Sequence, residues 1–72
     1  MEIKSGEFIK RVRKYARKNG LAFSYDPAHG KGSHGRLNLE GRFCTIVGED
    51  KMIRPGLLHA LCKQLGISLK DL

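Results

Sequence analysis

Apolar positions in the first twenty residues repeat with a helical period. Phe8, Ile9, Val12, Tyr15 and Ala16 fall at i, i+1, i+4, i+7 and i+8, on one side of an amphipathic helix. Ser5 is the expected N-cap, with Glu7 in the first turn to complement the helix dipole. Asn19-Gly20 ends the helix, since glycine accepts the left-handed conformation at C′. A helix over residues 5–19 is thus predicted. Three segments with strand patterning follow. Residues 21–25 alternate Phe23 and Tyr25 against Ala22 and Ser24, until Asp26-Pro27 breaks the run. Residues 34–40 place Leu37 and Leu39 on one face, and Arg36 and Asn38 on the other. Glu40-Gly41 reads as a tight turn, and residues 42–47, with Phe43, Cys44, Ile46 and Val47, complete a hairpin. Residues 48–54 read as a polar connection. Pro55 suits the first turn of a second helix, where Leu57, Leu58, Leu61, Cys62 and Leu65 recur at helical spacing up to Gly66. Ser68 and Asp71 have the spacing of a capping box over one last turn. The order α-β-β-β-α, without repeats, predicts an α+β fold: a three-stranded antiparallel sheet with both helices on one face.

Length and charge narrow what such a fold can do. Seventy-two residues make one domain, residues 1–72, with a core too small to house a large cofactor. Fourteen Lys and Arg oppose seven Asp and Glu, for a net charge of +7. Residues 1–20 hold seven of the basic residues and only two of the acidic ones, so the positive field belongs to the first helix. A polyanion, nucleic acid before membrane, is the expected partner. The start of the chain lacks the apolar stretch of a signal peptide, and no apolar run reaches the about 18 residues that a membrane span needs. A cytoplasmic location is expected, with Cys44 and Cys62 as free buried thiols in a reducing compartment.

The cations of the first helix are themselves patterned. Lys10, Arg13, Lys14, Arg17 and Lys18 fall at i, i+3, i+4, i+7 and i+8, a second strip with no acid among them. Each like-charged pair at such spacing costs the helix about 0.2–0.5 kcal/mol. A row of phosphates turns that repulsion into attraction and releases counterions. A solvated helix face is the plain alternative, but such faces usually mix signs. A membrane fits poorly, because the apolar side of this helix is needed for the core.

The segment AHGKGSHGR, residues 28–36, packs three glycines, two histidines and two cations together. Glycines let a backbone approach a phosphate closely, and the N–H groups of such loops form anion nests. The spacing is not that of a Walker loop. His34 stands where the loop meets a strand, and its ordinary pKa near 6.5 suits proton transfer at neutral pH. Cleavage of RNA needs such a group, to draw the 2′-OH proton or to protonate the leaving 5′-oxygen. Lys31 and Arg36 flank it and offer charge to the phosphorane. The alternative is a strand histidine facing solvent. Tyr25, Lys31, His29 and water all stand open as the second proton-transfer group. His59 is expected to face solvent. The spacings of the histidines and cysteines match no common zinc site, and neither cysteine has the setting of a nucleophile.

These segments together resemble the HicA toxin family. A helix ending in KNG is followed by a short strand, by GKGSHGR opening a hairpin, and by a Leu-rich helix ending LLHALCKQLGIS. The resemblance spans nearly the whole chain, and Gly32-Ser33-His34 is its most specific part. It implies a fold like the double-stranded-RNA-binding domain and a metal-independent, cofactor-free endoribonuclease that cleaves mRNA and arrests growth. It also implies an essential His34 positioned by Gly32 and Ser33. The implied partner is a HicB-type antitoxin, bound as a hetero-oligomer that blocks the histidine. The chain departs from many members in having no Pro-x-His after the third strand, where it reads IVGEDKMIRPGLL, and in having Pro55-Gly56-Leu57 where many have Gly-Thr-Leu. The same fold without the chemistry would be a module that binds structured RNA through its phosphates. A third reading is a subunit whose charge serves only to meet an acidic protein.

Overall fold

The structure, a computed structural model, describes residues 2–27, 35–46, 48 and 51–72. Helix α1 spans Ser5–Asn19, the range that the apolar period predicts, and Gly20 closes it in the left-handed conformation (φ 65°). Three strands, β2 (Phe23–Asp26), β3 (Gly35–Leu39) and β4 (Arg42–Ile46), form an antiparallel sheet with β3 in the centre. Helix α2 spans Pro55–Leu65, with Pro55 in its first turn and Gly66 left-handed at its end. A 3₁₀ turn at Leu69–Asp71 follows. It is capped by Ser68, whose hydroxyl accepts from Lys70 N–H while its own N–H donates to the Asp71 carboxylate. The α+β class and the three-stranded sheet are as expected. The ends of the first strand shift, from residues 21–25 to Phe23–Asp26. Val47 and His34, expected at strand ends, lie outside the described residues.

The hairpin between β3 and β4 closes through Glu40-Gly41, both with positive φ (49° and 83°). Two such residues make the mirror-image turn whose twist matches the flanking strands. Glutamate is an unusual occupant, and Ala22 holds it in place. The Glu40 N–H donates to Ala22 O at 2.9 Å, and the Glu40 carboxylate accepts from Ala22 N–H.

One face of the sheet meets both helices. Leu37, Leu39, Cys44 and Ile46 are buried with Phe8, Ile9, Val12 and Ala16 of α1 and Leu58, Leu61, Cys62 and Leu65 of α2, in a single cluster. The alternation along β3 is complete: residues 35, 37 and 39 are buried, while Arg36 and Asn38 look away from the helices. Leu57, expected on the apolar side of α2, is instead 45% exposed. It sits at the margin of the arc that Leu58, Leu61, Cys62 and Leu65 define, in the first turn of the helix. Among the described residues no helix is long and apolar enough to cross a membrane.

Two features depart from the sequence reading. Residues 48–54, expected as a plain polar connection, contain β5 (Met52–Ile53), which pairs with β1 (Ile3–Lys4) in a second, two-stranded antiparallel sheet. Ile3 faces Ile53 across it, and both are buried. The other departure concerns Ser5. Lys4 occupies the N-cap with extended backbone and no side-chain cap, and Ser5 is the first helical residue. Its N–H extends the β1–β5 ladder by donating to Lys51 O at 2.8 Å, which carries the side chain into the interior. There its hydroxyl is fully buried and has no hydrogen-bond partner among the described residues. A buried unpaired hydroxyl costs about 1–3 kcal/mol, and alanine is the better helix former. Ser5→Ala is therefore expected to raise the midpoint of urea unfolding, read by circular dichroism, by the equivalent of about 1 kcal/mol. A capping serine would instead give a loss of that size on the same substitution.

Candidate nucleic-acid interface

Because Phe8, Val12 and Ala16 point into the core, the opposite side of α1 points outward, and it carries all five predicted cations. Lys10, Arg13, Lys14, Arg17 and Lys18 are each exposed. Glu7 stands one turn before Lys10 and marks the N-terminal end of the strip. Its carboxylate is held by Arg11 at 3.0 Å, an i,i+4 pair beside the strip. Arg13 is anchored, with its guanidinium 5.8 Å from the ring centre of Phe23 in β2.

On its other flank the strip forms one wall of a groove of about 620 Å³. Lys10, Lys14 and Lys18 face Lys70 across it, with Glu7 and Asp71 also on the lining. Lys70 adds a fourth ammonium from the far end of the chain. Its membership was not legible in the sequence, because it depends on the capped 3₁₀ turn folding back beside α1.

The second half of the predicted site belongs to the segment between β2 and β3 in the sequence. His34, Lys31, Gly32, Ser33 and His29 fall outside the described residues. The residue directly after His34 is described and tightly constrained. A β-carbon at Gly35 would stand 2.6 Å from Tyr25 Oη and 2.9 Å from both Tyr25 Cε1 and Asp26 O. Only glycine leaves room for the Tyr25 ring here, so the phenol hydroxyl rests against the backbone that follows His34. Arg36 faces the other way. Its guanidinium lies 4.6 Å from the centre of the Phe43 ring, on the face of the sheet without helices. The structure therefore keeps the α1 strip together, and it separates the strip from Arg36 by the thickness of the sheet.

His59 is exposed on α2, as expected. Cys44 and Cys62 are unpaired and buried. Burial, and then the nearby Cys62, push the Cys44 thiol up to about 12. Burial, and then Asp71, raise Cys62 as well. A thiol held protonated is a poor nucleophile, so the interior sulfurs serve packing. Among the described residues no group of three or more His, Cys, Asp or Glu is placed to hold a metal ion.

No family model matches the chain, and no characterised protein or solved structure does so either.

The Tyr25–Gly35 contact gives a direct test of how this end of the sheet is built. Gly35→Ala is expected to cost about 1–3 kcal/mol through overpacking. In a Tyr25→Ala background the same methyl group should cost clearly less, since two of its three nearest atoms are then gone. A double-mutant cycle by denaturant unfolding measures the coupling. Equal costs in both backgrounds would rule out the ring as the reason for glycine.

Proposed function

We propose that this chain is an RNA-cleaving module of the HicA toxin kind, folded like a double-stranded-RNA-binding domain. In this reading it acts on mRNA in the cytoplasm through His34, without a metal, and a HicB-type antitoxin holds it in check. The observation that carries the reading is the α1 strip with its groove. Five exposed cations at helical spacing, joined across the groove by Lys70, are suited to a run of phosphates. The sequence GKGSHGR supports the chemistry. His34 takes the proton from a ribose 2′-OH, O2′ attacks phosphorus, and the P–O5′ bond breaks. The departing O5′ takes a proton from a second group. The products are a 2′,3′-cyclic phosphate and a 5′-OH end. Of the groups open for that second step, Tyr25 has its hydroxyl against Gly35, the residue after His34. Lys31 of the GKGSHGR segment stabilises the charge that grows on the phosphorane.

The strip also favours a second reading, a module that binds structured RNA and cleaves nothing, because its placement on α1 does not depend on His34. Induction in bacteria separates the two. The ribonuclease reading predicts that the wild-type chain arrests growth and degrades mRNA, and that His34→Ala does neither while keeping its fold. Tyr25→Phe keeps the ring beside Gly35 and removes the phenol hydroxyl with its proton, so it is expected to slow cleavage without unfolding the chain. RNA cleavage that survives His34→Ala would sink the mechanism. Binding without cleavage by the wild-type chain would leave the binding module. In either case, replacing Lys10, Lys14 and Lys18 by alanine is expected to weaken duplex RNA binding and to lower the slope of log K against log salt by roughly 2–3.

A further inference from the structure

The face of the sheet turned away from the helices carries side chains that the α1 reading leaves unused. The strand register lines them up in two rows. Ser24, Asn38 and Phe43 stand side by side across β2, β3 and β4, and Asp26, Arg36 and Thr45 form the next row. Phe43 is the only aromatic residue among these six, and it is 52% exposed. Arg36 lies across part of its ring, 4.6 Å from the centre. The Arg36 Nε is buried there and has no hydrogen-bond partner among the described residues.

From this arrangement we infer that the open sheet face is a second RNA contact, one that stacks an unpaired base of a single-stranded segment on Phe43 and Arg36. The inference rests on the RNA reading given above and adds a separate site to it. The chemistry of the rows selects a base over the other occupants of such a face. A protein partner of ordinary kind wants an apolar centre around its aromatic anchor, and the neighbours of Phe43 here are Asn38, Arg36 and Thr45. A phosphate wants a surplus of cations, whereas this face sets the Asp26 carboxylate in the same row as Arg36. An uncharged planar ring fits both facts. It covers the exposed part of Phe43 and offers carbonyl and ring-nitrogen acceptors to the Arg36 guanidinium. Asn38, with both a donor and an acceptor, stands on the next strand for the base edge. Strand spacing of about 4.8 Å puts the two within the span of one base. The side-chain cations of α1 and the stacking platform then divide the work: phosphates on the helix layer, an unstacked base on the sheet.

The test uses a single strand of roughly eight nucleotides of 2′-fluoro RNA carrying one 2-aminopurine, and the blunt duplex of the same sequence. Neither probe has the 2′-OH that the proposed cleavage requires. Wild type is expected to bind both. Phe43→Ala should weaken binding of the single strand by roughly ten-fold and leave duplex binding within about two-fold. Phe43→Tyr should restore single-strand binding, and the Phe43 ring protons of the wild type should move upfield when the strand is added. Melting temperatures of both variants establish that each is folded. Unchanged single-strand affinity in a folded Phe43→Ala, or equal weakening of strand and duplex, overturns the inference and leaves the α1 reading standing. A wild type that binds the duplex but not the strand does the same. A wild type that binds neither probe overturns both.

Discussion

A chain of 72 residues can cover only one face of a three-stranded sheet, and most of this structure follows from that limit. The central strand supplies the fulcrum. Leu37 and Leu39 are fully buried between the two helices, while the residues that alternate with them are left on the far side. Among the described residues no further apolar element covers that far side, so Arg36, Asn38 and Phe43 stay in reach of solvent. The same limit turns α1 inside out with respect to charge. Its apolar side is used up by the core, and every cation of the strip is therefore presented outward.

Crowding five cations on one helix face opposes helix formation, and the core contacts of Phe8, Ile9, Val12 and Ala16 offset it. Repulsion that the fold tolerates is then available to a polyanion as binding free energy. The groove shows how a distant residue enters such a site. The capping box at Ser68 and Asp71 fixes the last turn, and the last turn delivers Lys70 to the strip. Inside, the two thiols are kept protonated by burial.

The site is assembled from contacts of two physical kinds. Within α1 the spacing of cations is a property of the helix, so a residue's place on the strip follows from its number alone. At the sheet end nothing of that sort holds. Tyr25 and Gly35 meet because β2 and β3 pair with Tyr25 opposite Leu37, which lays the ring over a residue ten positions away in sequence. Arg36 meets Phe43 through the register of β3 with β4. A shift of register by one residue would exchange the two faces and abolish both contacts.

Elements with local signals are legible along the chain. Apolar period and glycine stops set α1 at Ser5–Asn19 and α2 at Pro55–Leu65, Glu40-Gly41 closed the hairpin, and Ser68 with Asp71 capped the last turn. Each of these depends on neighbours within a few residues, where dihedral preference and side-chain spacing decide. The rest depends on contacts between segments distant in the chain. The β1–β5 pair is two residues long on each side, too short to carry a period, and only the meeting of chain segments about fifty residues apart makes it a sheet. That pairing converted Ser5 from an expected cap into a buried hydroxyl. The opposition of the α1 strip to the Arg36–Phe43 face, and the place of Lys70 in the groove, came from how the layers stack, which no window along the chain contains.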